Sequence, residues 1–286
     1  MTALPLDRKS PSAAPAATPP ARRKLVGLGL PIYVALALVF LLIPIVYTFV
    51  FSFNDSVKSN IAWRGFTFDK WLSVCNEPGL CEAFGNSILV GVVATVLATA
   101  LGTAIAIALV RYRFRFRSSI SLLLFLPMAT PEVVLGAGLA AQFLALGTQK
   151  GIVTVILAHT MFCISFVVVT VKARVASLDP ALEEAGRDLY GSAAQVFWRI
   201  TFPLLLPGIL AAALLSFALS FDDFIITNFN SGAVDTFPKF IYIAAARGIP
   251  AEANVIASAV FILAILIVVV AQVSRSARQK RLARLS

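Results

Sequence analysis

Six apolar runs dominate the chain, at about residues 25–51, 84–110, 120–146, 151–171, 204–226 and 254–273. Each is near the roughly 20 residues that a helix needs to cross the hydrocarbon core of a bilayer. They are continuous rather than alternating over about ten residues, so helices are expected and not the strands of a barrel. Composition agrees, with 59% of the 286 residues hydrophobic and only 13% charged, against about 45–50% and about 25% in soluble domains. The expectation is an all-α integral membrane protein with six transmembrane helices. The first run is longer than the apolar core of a signal peptide, about 7–15 residues, and reads as a retained span. Pro31 and Pro44 inside it are tolerable in a membrane helix.

Six spans put both termini on one side, and the Lys and Arg residues say which. With the N-terminus inside, the cytoplasmic segments hold 18 of them, including Arg22, Arg23 and Lys24, the run Arg111, Arg113, Arg115, Arg117, and Arg275, Arg278, Lys280, Arg281 and Arg284. The outer segments hold 6: Lys58, Arg64, Lys70, Lys150, Lys239 and Arg247. This bias also accounts for the net charge of +10 without nucleic acid as a partner. The partner it implies is the bilayer. Residues 1–24, rich in Pro, Ala and Ser, read as a disordered cytoplasmic tail, and 274–286 as a basic one.

The longest polar interruption of the later apolar runs is residues 178–207, LDPALEEAGRDLYGSAAQVFWRITFPLLLP. Asp179 before Pro180 suits a helix start. Leu182, Ala185 and Leu189 recur at helical spacing. Gly191 fits the left-handed position just past a helix end. Ser192 and Gln195 form a capping box that opens a second helix through Phe197 and Trp198. Two short helices over 179–200, joined by a tight turn, are therefore expected on the cytoplasmic side.

Carboxylates within the spans are the other informative feature. A charge near the bilayer centre costs about 2.5–3.5 kcal/mol on insertion scales, so such groups face a bundle interior or an aqueous path. Glu132 follows Pro127 and Pro131, and Asp222 and Asp223 lie in S-F-D-D-F between Phe221 and Phe224, toward the outer half of the fifth span. As neighbours on a helix the two aspartates would point about 100° apart. A cationic substrate would suit them, whereas bonds between helices are the structural alternative. His159, the only histidine, is either a substrate contact or relay or a hydrogen-bonding partner of a neighbouring helix.

Cys75 and Cys81 fall in the first outer loop, where an oxidising compartment permits a disulfide; free thiols are the alternative. Cys163 sits in a span as a small apolar residue. No metal-ligand constellation exists. The sequence has no G-x-x-x-x-G-K-[ST] phosphate loop, no G-x-S-x-G elbow and no H-E-x-x-H. The chain is not expected to be an enzyme, and energy for transport must come from an ion gradient or another subunit.

Glu184-Ala185-Gly186 followed by Ile200-x-x-Pro203 resembles the cytoplasmic EAA loop of permeases from ATP-binding-cassette importers, a pattern of E-A-A, three residues, G, nine residues, I-x-L-P. Gly186 replaces the second Ala, Phe202 replaces Leu, and Tyr190 stands at the Gly position with Gly191 after it. The stretches 158–163, 166–171 and 216–224, with Asn228-Phe229, Gly232, Phe237-Pro238, Ile241-Tyr242 and Pro250, are similar to the second, C-type permease of spermidine/putrescine importers over about residues 84–273. The resemblance implies the type I importer permease fold and localisation in a prokaryotic cell membrane. It implies a pathway for a polyamine or similar organic cation, for which Asp222, Asp223, Glu132, Phe221, Phe224 and His159 are the candidate lining residues. Implied partners are a dimer of ATPase subunits, which would bind the ATP and Mg that this chain does not, a second permease and an extracytoplasmic binding protein. Glu184, Ala185, Gly186 and Gly191 would couple to the ATPase, with Leu182, Leu189 and Phe197 as apolar contacts. Another solute, such as an aminophosphonate or a sugar, and an ion-coupled carrier working alone are the competing functions. The carrier predicts an inverted repeat and broken helices in matching positions, and the sequence displays neither.

Overall fold

The structure, a computed structural model, describes residues 22–56 and 62–282. The chain divides into two units, Met1–Val50 and Phe51–Ser286. The described part of the first belongs to helix α1, Arg22–Phe51, with Pro31 and Pro44 inside it; the last residue of the helix, Phe51, is counted with the second unit. Most of the tail expected at 1–24 lies outside the described residues. Arg22, Arg23 and Lys24 belong to the helix instead, as good helix formers can. The Thr48 hydroxyl donates to the Pro44 carbonyl at 2.9 Å, inside the turn that follows the proline.

The second unit runs α2 (Asp69–Leu72), a 3-10 turn (Val74–Asn76), α3 (Leu80–Arg111), α4 (Arg117–Ala129), α5 (Glu132–Ala145), α6 (Ile152–Ala176), α7 (Ala181–Asp188), α8 (Ala193–Val196), α9 (Phe202–Asp222), α10 (Ile225–Asn230), α11 (Phe237–Ala245) and α12 (Ala251–Leu282). Among the described residues of the whole chain, five helices are long and apolar enough to cross a membrane, and a bent pair brings the number to as many as six.

Two of the expected spans are broken, so broken helices, which the sequence did not display, are present in the fold. Residues 120–146 form α4 and α5, which meet at 110°. Pro131 has no N–H to give and disfavours the α conformation of the residue before it; Thr130 is extended, with ψ 133°. Residues 204–226 do not continue to Ile226, because α9 stops at Asp222 and the chain turns at Asp223 into α10. The expected outer segment between the last two spans contains α11, and the last helix starts earlier than expected, at Ala251, and carries on through part of the basic tail.

Helices α3, α6 and α9 form the core, filled by Ala98, Ala106, Leu109, Val167, Val171 and Leu205, all essentially inaccessible. Small residues let the helices approach. A Cβ at Gly102 would lie 2.6 Å from Val167 Cγ1, so α3 and α6 touch backbone to side chain there. The broken halves pack on each other as well, since Asn230 Nδ2 at the end of α10 donates to the Gly136 carbonyl of α5 at 3.2 Å.

The two ends of this bundle differ in construction. At one end a disulfide joins Cys75 to Cys81, with Cα atoms 5.3 Å apart. Leu80 there packs with Phe237, Ala253 and Ile256, and Lys70 pairs with Glu252 at 2.9 Å. At the other end lie α7 and α8.

Candidate functional site

The α7–α8 hairpin is shaped by its caps. The Asp179 carboxylate accepts the Ala181 N–H at 2.9 Å, and α7 begins one residue later than the sequence suggested. Ser192 and Gln195 form the expected reciprocal box: Ser192 N–H donates to Gln195 Oε1 at 2.9 Å, and Gln195 N–H to Ser192 Oγ at 3.3 Å. The turn between them differs from expectation. The left-handed residue is Tyr190, with φ 59°, and not Gly191. Tyr190 is 99% exposed, so its side chain is clear of the fold. Gly191 is needed for closeness instead, since a Cβ there would lie 2.6 Å from the Gly186 carbonyl oxygen. The Gly191 N–H donates to that same oxygen at 3.2 Å.

Gly186 is buried under the second helix, and a Cβ on it would meet Ile200 Cδ1 at 2.6 Å and Val196 Cγ2 at 3.2 Å. The two glycines therefore face inward, whereas Glu184, Ala185, Leu182 and Leu189 are exposed. Leu189 is 82% exposed. Phe197 is half-buried and packs its ring on Trp198 and Phe202, with centroids 5.1 and 6.1 Å away.

The second helix of the hairpin is not a separate element. A π-helical turn, Phe197–Thr201, joins α8 to α9, giving one helical run from Ala193 to Asp222. Pro203 cannot donate, and a widened turn just before it absorbs the lost bond. Arg174 of α6 clamps the start of α9, donating from Nε and Nη2 to the Leu204 carbonyl at 3.0 and 2.8 Å. Gly208 makes that possible, because a Cβ there would lie 2.7 Å from Arg174 Cγ. Arg111, at the end of α3, pairs with Glu183 of α7 at 3.0 Å. The hairpin is thus continuous with α9, which Arg174 ties to α6, and is itself tied to α3 by the Arg111–Glu183 pair.

At the other end of α9 the break at Asp223 opens a cavity of about 480 Å³. Glu132, Asp222, Asp223 and Phe224 all line it, with Phe162 and Leu219 on its walls. The two aspartates diverge because Asp223 leaves the helix, with ψ 122°, and not by the 100° helical step expected. Asp222 is exposed and Asp223 buried. Among the described residues no Lys or Arg lines the cavity. Among the described residues Glu132 and Asp222 have no ion-pair partner. Phe221 stands off the cavity, edge-on to Phe84 at 6.0 Å and stacked on Phe217 at 5.8 Å.

His159 lies behind the cavity and does not line it. It is 1% exposed and bridges three elements. Nδ1 pairs with Ser220 Oγ of α9 at 2.7 Å, and Nε2 with Thr227 Oγ1 of α10 at 2.9 Å. The Thr227 hydroxyl donates to the Asp223 carbonyl at 3.2 Å, so it accepts from His159 Nε2–H. In the neutral ring this leaves Nδ1 to accept from Ser220. Asp223 Oδ1 completes the knot, accepting the Thr227 N–H at 3.0 Å and lying 3.4 Å from His159 Nε2.

Ser220, which belongs only to the family-like stretch 216–224, and Thr227 and Arg174 are not among the site residues expected from the sequence. A signal for the first existed: His159 and Cys163 on α6, and Ser216 and Ser220 on α9, are each spaced i, i+4, which puts a short polar stripe on one face of each helix. Cys163 Sγ indeed donates to the Ser216 carbonyl at 3.5 Å. Tyr242 belongs to the family-like residues alone, and its ring stacks on Phe224 at 4.2 Å.

The family model described as "Binding-protein-dependent transport system inner membrane component" matches residues 98–284. The spermidine/putrescine transport system permease protein PotC of Escherichia coli (strain K12) is 35% identical over 235 residues, which cover 82% of this chain and 88% of that protein. The putrescine transport system permease protein PotI of the same strain is 30% identical over 231 residues, 78% of this chain and 82% of that one. Among solved structures, a bacterial ABC transporter involved in the import of the acidic polysaccharide alginate aligns with TM-score 0.65 at 17% identity, over 91% of this chain and 99% of the matched one. The MetNI methionine ABC transporter in an inward-facing conformation aligns with TM-score 0.54, also at 17% identity, over 68% and 92%. At that identity the likeness is one of fold.

Proposed function

The chain belongs to the family of binding-protein-dependent transport system inner membrane components, and we propose that it is the permease subunit of an ATP-driven importer that carries a polyamine. It is a multi-pass membrane protein with the fold of type I importer permeases. The observation that carries the substrate reading is the meeting of Glu132, Asp222 and Asp223 on one cavity without a Lys or Arg. Carboxylates held in an apolar span attract an organic polycation and repel an anionic solute. The relatives named for spermidine and putrescine at 30–35% identity support the same class.

Within that reading Asp222 and Glu132 contact the substrate, and Asp223 is held by the His159 knot and shapes the opening. The hairpin lies on the cytoplasmic side with both termini, and its exposed Glu184, Ala185, Leu182 and Leu189 dock on an ATPase subunit. Closure of the ATPase pair moves α7 as a rigid piece, and the continuous run from Ala193 carries that motion to Asp222. A second permease completes the pathway, and a binding protein delivers substrate at the disulfide end.

Reconstitution with the partner subunits in proteoliposomes tests this. Spermidine uptake should require ATP, and Glu184→Ala should lower uptake with ATP hydrolysis continuing. Uptake by the chain alone, driven by an ion gradient, would reject the reading.

A further inference from the structure

An apolar groove of about 530 Å³ runs between α3 and α9 on the hairpin side of the bundle. Val96, Ala100, Ala104 and Ile107 of α3 form one wall, with Trp198 and Leu210 on the other. The hydroxyls of Thr95, Thr99 and Thr103, on the same stretch, are buried and bond no neighbour, so carbon is what faces the groove. A second cavity, of about 340 Å³, shares Ile107 and Phe197 as walls with the first. It is lined by Arg111, Tyr112, Glu183 and Arg187.

From these neighbouring cavities we infer that the chain binds one anionic phospholipid of the hairpin-side leaflet, an acyl chain in the groove and the phosphate on Arg111 and Arg187. Length is the first reason. From Thr95 to Ile107 the groove follows α3 for about 18 Å, close to one leaflet, about half of a hydrocarbon core that is about 30 Å thick. A partner's transmembrane helix would need a furrow along the whole core. Charge is the second. Glu183 lies 3.0 Å from Arg111 Nη2, yet neither Nε nor Nη2 of Arg111 has a hydrogen bond among the described residues. Arg187 has no ion-pair partner among the described residues. Two guanidinium side chains lining one cavity suit a phosphate, and basic pockets between helices at a membrane surface suit lipid headgroups. Trp198, 61% exposed at the mouth of the groove, stands where amphipathic rings meet the interface.

Since Arg111 ends α3 and Arg187 is on α7, the headgroup would tie the hairpin to the bundle. The inference rests on the membrane fold and is independent of the substrate. The test is native mass spectrometry of the importer, purified with its partner subunits and exchanged into phosphatidylcholine containing phosphatidylglycerol. The parental assembly should retain phosphatidylglycerol preferentially. Arg187→Gln, which loses a charged contact, and Ala104→Trp, which fills the groove, should each reduce retention about tenfold, and Arg115→Gln, outside both cavities, should leave it unchanged. If Ala104→Trp fails to assemble, the exposed Arg187 variant alone decides. Equal retention by the parent and Arg187→Gln overturns the inference. So does ready cross-linking of Thr99→Cys to another subunit in native membranes, since the groove would then belong to a protein.

Discussion

The hairpin and the acidic cavity sit at the two ends of α9, and they are built in opposite ways. The hairpin is shaped by neighbours in sequence, with Asp179 on Ala181, Ser192 on Gln195 and Gly191 on Gly186, and the Arg111–Glu183 pair ties it to α3. The cavity is held by His159, which reaches 61 residues to Ser220 and 68 to Thr227. One is a locally folded hairpin with an exposed apolar face. The other is a tertiary assembly, present only once α6, α9 and α10 are packed together. A locally held element can move as a unit without losing its shape. A site assembled from three helices changes when any of them shifts, which is what a pathway that opens and closes requires.

The comparison predicts that damage at the cavity lowers the stability of the whole bundle, and damage at the hairpin breaks communication first. The largest effect is expected for His159→Leu. It leaves Ser220, Thr227 and Asp223 buried without their shared partner, a loss of roughly 3 kcal/mol, read as a fall of several degrees in Tm of the purified assembly. An unchanged Tm would mean that the knot contributes nothing to the packing. Next comes Gly186→Val. Its Cβ enters the space of Ile200 and Val196, and such overpacking costs about 1–3 kcal/mol. The expected signature is loss of coupled uptake while membrane insertion and the core remain, with cleavage by added protease confined to 178–200. Cleavage throughout the chain would show that the hairpin is not an independent piece.

The smallest effect runs the other way. Tyr190 holds a left-handed backbone, which costs an ordinary residue roughly 1–2 kcal/mol, and its ring is free in solvent. Tyr190→Gly should therefore raise Tm by about 2 °C without changing uptake. A lower Tm would place the Tyr190 ring in a contact that stabilises the assembly.

The same contrast explains what the sequence displayed. Hairpin caps are properties of a few adjacent residues, so Ser192 and Gln195 could be paired from the sequence, and Asp179 recognised. The turn differs from the sequence expectation at one position: Gly191 satisfies the propensity rule, but the close approach to Gly186 claims it, and the left-handed conformation falls on Tyr190. Apolar runs revealed the number of spans but not their breaks. Pro131 offered a local cause for the bend between α4 and α5. Nothing adjacent announced the stop at Asp223, because the carboxylate is drawn out of the helix to cap Thr227, four residues on, and to meet His159 on another helix. The carboxylates were legible as residues out of place in a membrane. Their convergence on one cavity was not, since Glu132 is brought to Asp222 by two breaks whose angles depend on packing.

The most direct test of the account is simultaneous measurement of spermidine uptake and ATP hydrolysis by proteoliposomes carrying the parental assembly or the Glu132→Gln, Asp222→Asn double variant. If the cavity is the cation's path and the hairpin the separate coupling device, uptake should fall at least about tenfold, with ATP hydrolysis that still responds to the loaded binding protein. Parental uptake by the double variant would contradict that division, and would return both carboxylates to a structural role.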